Sequence, residues 1–259
     1  MENNIEVKNL SFSYDKKKTI LDDISFNIEK GRITSIIGAN GCGKSTLFNL
    51  LSKNLRPQSG EIKINGVNLD NIRLKQLALQ LAVVHQYNTA PPDLRVETLV
   101  GYGRIPYRKT FYERKNADEN EKYITSALES MAISDLRKRN LGELSGGQRQ
   151  RAWVAMALAQ NTDILLLDEM TNSLDIKHQI ETLRLIRKLN EERHITVVMI
   201  LHDINQAIAY SDKIIAMKNG KIIKDDTPQN VITDETLKMV YDIDLKVDTL
   251  GSRSVVIPI

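Results

Sequence analysis

Residues Gly38-Ala39-Asn40-Gly41-Cys42-Gly43-Lys44-Ser45-Thr46 carry the spacing G-x-x-x-x-G-K-[ST]. An apolar run, Ile33-Thr34-Ser35-Ile36-Ile37, precedes them, and the helix-compatible Leu47-Phe48-Asn49-Leu50-Leu51 follows. Strand, glycine loop and helix is the context that makes this spacing a phosphate cradle. Glycines keep side chains out of the loop, so successive backbone N–H groups converge on phosphate oxygens. The helix N-terminus adds unpaired N–H groups and a favourable dipole. In such a cradle Lys44 reaches the β- and γ-phosphates, and the Ser45 hydroxyl ligates Mg²⁺.

The 259 residues allow one large domain or two small ones. With 41% hydrophobic and 27% charged residues, the composition is that of a soluble globular protein. Aromatics are only 5% and the net charge is +3, which gives little support to nucleic-acid binding. Cys42 is the single cysteine, so no internal disulfide and no cysteine zinc site is expected, in keeping with a reducing cytosol. No secretory leader and no run of apolar residues long enough to span a membrane is expected either.

Ile5, Val7, Leu10, Phe12 and Tyr14, then Leu21, Ile24, Phe26 and Ile28, are spaced as half-buried strand positions, with the polar turn Asp15–Lys18 between them. Tyr14 fits a base-stacking ring or a partly exposed core tyrosine. Asn65-Gly66 after Glu61–Ile64, and Asn219-Gly220 between Ile214–Met217 and Lys221–Ile223, are hairpin signals. Antiparallel strands beside a parallel nucleotide-binding sheet imply a mixed architecture. Leu81–Gln86 reads as a short strand, and Gln86 at its end could touch Mg²⁺ or remain a solvated loop residue. Between 95 and 160 the chain turns helical, with Val96, Leu99 and Val100 starting one helix and Glu119–Met131 forming another. Arg104, Arg108, Lys109, Arg114 and Lys115 there read as a solvated face or a contact for an acidic or membrane-adjacent partner.

Ser145 is a plausible N-cap for an alanine-rich helix, and Gly146-Gly147 permit close backbone approach, either as an ordinary cap or as a second anion-binding helix terminus. Ile164–Leu167 is a strand buried on both faces that ends in Asp168-Glu169. Asp168 can hold the Mg²⁺ shell, and Glu169, on the opposite side in strand periodicity, can polarise a water. After the polar turn Asn172–Asp175, an amphipathic helix runs to about Asn190. The strand Ile195–Ile200 leads to His202, level with the other strand-end loops. Asp225–Asp248 reads as acidic surface helices and loops, and Val255–Ile259 as a short covering strand.

Together, Gly38–Thr46, Gln86, Leu144-Ser145-Gly146-Gly147-Gln148, Ile164–Glu169, Ser173–Asp175 and His202 resemble the ATP-binding cassette ATPases, in the same order and over essentially the whole chain. The resemblance implies an α/β fold: a P-loop NTPase core with a mixed sheet, an N-terminal antiparallel layer and a helical subdomain. It implies one domain over 1–259, with the core at about 1–86 and 161–259 and the helical subdomain at about 87–160. It further implies a head-to-tail dimer that sandwiches ATP. Tyr14 would stack on adenine, and Gly38, Asn40, Gly41, Gly43, Lys44, Ser45 and Thr46 would hold the phosphates. Ser145, Gly146, Gly147 and Gln148 would reach the γ-phosphate of the second copy's ATP. Glu169 would be the general base and His202 a γ-phosphate contact. Ser45, Gln86 and Asp168 would order Mg²⁺, Gln86 would link the metal to the transporter, and Asp175 would cross the dimer interface.

Gly101–Tyr107, Ser145–Ala152, Met156–Gln160 and Val198–Ala207 look, more narrowly, like the ATPase subunits of iron(III)–siderophore importers, whose relatives carry haem, cobalamin and other chelates. That implies a peripheral subunit on the cytoplasmic face of a bacterial membrane. Its partners would be a permease dimer docking near 87–110 and, indirectly, an extracytoplasmic binding protein. A soluble ribosomal or DNA-repair cassette would carry two cassettes or a long coiled coil, and neither pattern is present. Two positions depart from the usual family pattern. Met170 and Ala39 stand where proline is common, and loss of proline's fixed φ loosens the expected constraint after Glu169.

Overall fold

The apolar positions Ile5, Val7, Leu10 and Phe12 are buried along strand β1 (Asn3–Phe12), which pairs antiparallel with β2 (Leu21–Glu29). In each strand one step of the apolar alternation is three residues instead of two. Asn9 and Asp23 absorb the extra residue in left-handed backbone, at φ +48° and +50°. Asn9 Nδ2 donates to Asp23 Oδ1 at 3.0 Å, so two facing irregularities return the following residues to the inner side. The computed structural model describes residues 2–15, 18–107, 117–170, 175–250 and 253–258.

Strand β3 (Ile33–Gly38) is buried at every position and runs through the glycine loop into α1 (Lys44–Leu51). β4 (Ser59–Ile64) and β5 (Val67–Asn68) then complete the antiparallel sheet in the order β2-β1-β4-β5. Asn65 and Gly66 join them at φ +49° and +78°, the two-residue turn that Asn-Gly favours.

The chain divides into two compact units, residues 1–72 with 196–259 and residues 73–195. The second unit begins with the short α2 (Leu74–Leu77) and holds β6 (Leu81–Val84), α3 (Val96–Tyr102), α4 (Ala117–Ser130), α5 (Gly146–Ala159), β7 (Ile164–Asp168) and α6 (Ile176–Arg193). β6 and β7 are parallel, in register from Leu81↔Ile164 to Val84↔Leu167. Helices α3, α4 and α5 pack on one another, and Leu99, Val100, Ala127, Leu128 and Ala155 on them are buried.

Arg104 corrects the reading of a basic exposed face. It is 3% exposed. Its guanidinium lies 3.8 Å from the centroid of the Tyr107 ring and 4.1 Å from that of Tyr123. It also donates to Ala159 O at 2.8 Å and Asn120 Oδ1 at 2.9 Å. Two aromatic faces and two oxygens make it an internal rivet. Arg108, Lys109, Arg114 and Lys115 lie outside the described residues.

The first unit resumes with β8 (Thr196–Ile200), α7 (Ile204–Tyr210), β9 (Lys213–Lys218), β10 (Lys221–Asp226), α8 (Pro228–Val231), α9 (Asp234–Tyr241), β11 (Leu245–Leu250) and β12 (Arg253–Pro258). β8 and β9 flank β3 in parallel, and β10 pairs antiparallel with β9, so this sheet is mixed. The acidic stretch 225–248 is more than a surface: Val231, Ile232, Leu237 and Val240 are buried there. The terminal strand does cover. Val256 N donates to Asn205 Oδ1 at 2.8 Å and Asn205 Nδ2 returns a 3.2 Å bond to Val256 O, fastening β12 to α7.

Candidate active site

The phosphate loop starts where β3 ends. Gly38, Gly41 and Gly43 take φ of +151°, +77° and +110°. Only glycine enters that range without strain, which is why the loop can fold tightly over its own backbone. No side chain caps α1, and no acidic residue sits in its first turn. Its leading N–H groups are therefore not taken up by a side-chain cap, the condition under which a helix start can accept an anion. Lys44 is 4% exposed, and its Nζ donates to Gly38 O at 2.7 Å and Ala39 O at 3.2 Å. Ser45 is exposed at the same helix start, while Thr46 is buried.

Tyr14 stands beside this loop, 64% exposed. Its hydroxyl is 3.3 Å from Thr46 Oγ1, and its ring meets Phe12 edge-on at 4.9 Å. Those two contacts fix the ring's edge and leave a face for stacking. Burial pushes the Cys42 thiol up, against the opposing pull of Lys44. His202 is exposed just past β8, which pairs in parallel with β3, so it lies on the same sheet end as the loop.

The other candidate residues belong to the unit 73–195. Asp168 is buried at the end of β7. Glu169 leaves the strand at φ +44°, so the expected strand alternation stops at Asp168. Left-handed backbone at a non-glycine residue costs on the order of 1–3 kcal/mol and re-aims the side chain. Gln86 Nε2 donates to Glu169 Oε2 at 2.6 Å. Met170 is 2% exposed, so a buried side chain occupies the place where proline was expected.

Ser145 caps α5. Its hydroxyl accepts from Gln148 N at 3.3 Å and Gln148 Oε1 accepts from Ser145 N at 3.0 Å, a reciprocal capping box. Gly146 is exposed and Gly147 is buried. A Cβ on Gly147 would lie 2.6 Å from His178 Cγ. Asp175 caps α6 by accepting from His178 N at 3.0 Å, so Asp175 and Gly147 meet the same histidine. Asn172, Ser173 and Leu174 lie outside the described residues. A cleft of about 430 Å³ opens between Gln86–Thr89, Gly146 and Glu169. Trp153 and Gln150 line it too, and sequence reasoning assigned neither of them a site role.

Residues 21–172 match the model of the family described as ABC transporter, which is more than half of the chain. The chain belongs to the ABC transporter family. This cassette is 39% identical to the petrobactin import ATP-binding protein YclP of Bacillus subtilis (strain 168), over 97% of this chain and 98% of that one. It is 41% identical to the iron(3+)-hydroxamate import ATP-binding protein FhuC of the same organism, covering 95% and 91%. Among solved structures, the ADP conformation of the ATP-binding cassette MJ1267 matches with a TM-score of 0.82 at 25% identity, covering 93% and 99%. The dimeric bacterial ABC transporter cassette MJ0796 matches at 0.75 and 30% identity, covering 86% and 98%. The mixed sheet, the antiparallel layer and the helices of this cassette agree with that fold. Among the described residues no helix is long and apolar enough to cross a membrane.

In the sequence, Asn219-Gly220 reads only as a hairpin turn. In this ABC cassette Gly220 N donates to Cys42 O at 2.9 Å, which puts the turn against the phosphate loop. The doubled left-handed signal of Asn-Gly was legible; its target was not, because Cys42 lies far away along the chain.

Proposed function

We propose that this cassette is the ATP-hydrolysing subunit of an iron(III)–siderophore importer. Near-full-length likeness to proteins named for petrobactin and iron(3+)-hydroxamate import is the observation that carries the cargo. The chain works as one domain, with its core at about 1–86 and 161–259 and a helical subdomain at about 87–160. It sits peripherally on the cytoplasmic face, and its permease docks near 87–110.

Tyr14 stacks on the adenine. The loop amides from Gly38 to Thr46, with Asn40 among them, hold the phosphates, and Lys44 exchanges its loop carbonyls for phosphate oxygens. Ser45, Gln86 and Asp168 supply a hydroxyl, an amide oxygen and a carboxylate, the hard oxygen donors that Mg²⁺ takes. A Mg²⁺ held by these residues would supply charge neutralisation for the phosphates. Glu169 accepts a proton from the attacking water, and the Gln86 amide holds its carboxylate in place until then. His202 donates to the γ-phosphate. Ser145, Gly146, Gly147 and Gln148 present an uncharged helix start to the ATP of a second copy, and Asp175 faces that copy.

The reading is tested by loading membrane vesicles that contain the permease with the wild-type chain or with Lys44→Ala, then measuring ATP-driven uptake of ferric hydroxamate. The proposal predicts uptake with the wild type and none with the variant. Uptake of cobalamin or haem in place of ferric siderophore would overturn the cargo, and uptake supported by Lys44→Ala would overturn the site.

A further inference from the structure

Asn219 and Gly220 form the two-residue turn between β9 and β10, at φ +46° and +78°. The Gly220 peptide is held on two sides. Its N–H donates to Cys42 O in the phosphate loop at 2.9 Å, and its carbonyl accepts from Asp22 N at 3.0 Å. No side chain fits between these partners: a Cβ at Gly220 would lie 2.3 Å from Ile20 O and 2.9 Å from the Ile20 carbonyl carbon. Gly43, from the loop side, is also tight. Its Cβ would lie 2.7 Å from Leu21 Cδ2 and 3.1 Å from Ile20 O.

The Ile20–Asp22 segment is also tied to the Tyr14 arm. Ile20 N donates to Phe12 O at 2.8 Å, and the Phe12 ring sets the edge of Tyr14. A continuous path therefore runs from Tyr14 through Phe12, Ile20 and Gly220 to Cys42, beside the direct 3.3 Å contact of the Tyr14 hydroxyl with Thr46 Oγ1.

We propose that Gly220 is a positioning residue that fixes the spacing between the phosphate loop and the stacking face of Tyr14. Through that spacing it sets the preference for a whole nucleotide over a bare polyphosphate. The inference rests on the reading of Gly38–Thr46 and Tyr14 as one nucleotide site. A ligand that engages both subsites at once gains from their fixed separation, whereas a ligand that engages only the loop does not. Displacing the turn to admit a Cβ spoils the separation, whereas the Lys44 bonds to Gly38 O and Ala39 O inside the loop do not involve the turn.

The test compares binding of ATP and of inorganic tripolyphosphate, each with Mg²⁺, by calorimetry on the full chain, with folding checked by thermal melts. Gly220→Ala is expected to weaken ATP by about tenfold and tripolyphosphate by less than about threefold. Asp22→Ala combined with Lys221→Ala removes the 3.0 Å ion pair that flanks the same junction without adding atoms. It is expected to weaken ATP alone, by roughly twofold, and it carries the test if Gly220→Ala does not fold. Equal losses for both ligands, or no loss for either, overturn the spacing role while leaving the nucleotide site intact. A wild-type chain that binds neither ligand overturns the site itself.

Discussion

Gln86 Nε2 and Glu169 Oε2 are joined by a 2.6 Å hydrogen bond, although they come from the ends of different parallel strands, 83 positions apart. The bond aims the carboxylate and costs it no charge, because an amide donor is neutral. The carboxylate proposed above as the base gains from that support because its own backbone is in a strained region. Replacing Gln86 by Ala is expected to lower kcat by roughly tenfold or more, with a smaller change in KM for ATP. Steady-state hydrolysis assays read this split. A change confined to KM would mean that Gln86 acts on binding and not on the base.

Gly147 predicts a steric coupling. A Cβ there meets His178 at its Cγ, Cβ and Cδ2, all within 2.9 Å, and none of these is the far end of a flexible chain. Gly147→Ala should cost about 1–3 kcal/mol of stability by overpacking. Adding His178→Ala should return at least about 1 kcal/mol of it. Urea denaturation of the two single variants and the double variant measures the coupling. Additive losses would show that the glycine is there for its exposed neighbour and not for this contact.

Tyr241 predicts alkaline sensitivity. Burial is the main cause that pushes its phenol from 10.0 up to about 12, with the Cys42 thiol adding to it. An acid whose folded pKa is raised loses stability as pH climbs past the unfolded value, because the unfolded chain gives up the proton first. Between pH 10 and 12 this group should remove roughly 2–3 kcal/mol. Tyr241→Phe should flatten that part of the stability profile, relative to wild type, and leave it unchanged below about pH 9. Parallel melts across this range give the difference.

Much of the architecture was legible because its signals are local. The glycine loop, both Asn-Gly hairpins, the Ser145 cap and the buried run Ile164–Leu167 each depend on residues close in sequence. Arg104 was misread for the opposite reason. A cation inside a basic run looks solvated until Tyr107, Tyr123 and the Ala159 carbonyl are known to surround it, and they come from three different elements. Strand periodicity misorients Glu169 because it does not hold one residue past the strand, where the backbone turns left-handed. The bulges at Asn9 and Asp23 were visible only as a missed beat in the alternation. Gly220 was read as a turn because nothing in Asn219-Gly220 points to Cys42.

The role proposed for Glu169, activating water against ATP, is the one on which the chemistry turns. The direct measurement is MgATP turnover of Glu169→Gln beside wild type, together with the sedimentation of each in excess MgATP. Glutamine keeps the shape of glutamate but cannot accept the proton, so turnover should fall by about a hundredfold or more, and the variant should accumulate as an ATP-bound dimer. Hydrolysis near the wild-type rate would contradict that role.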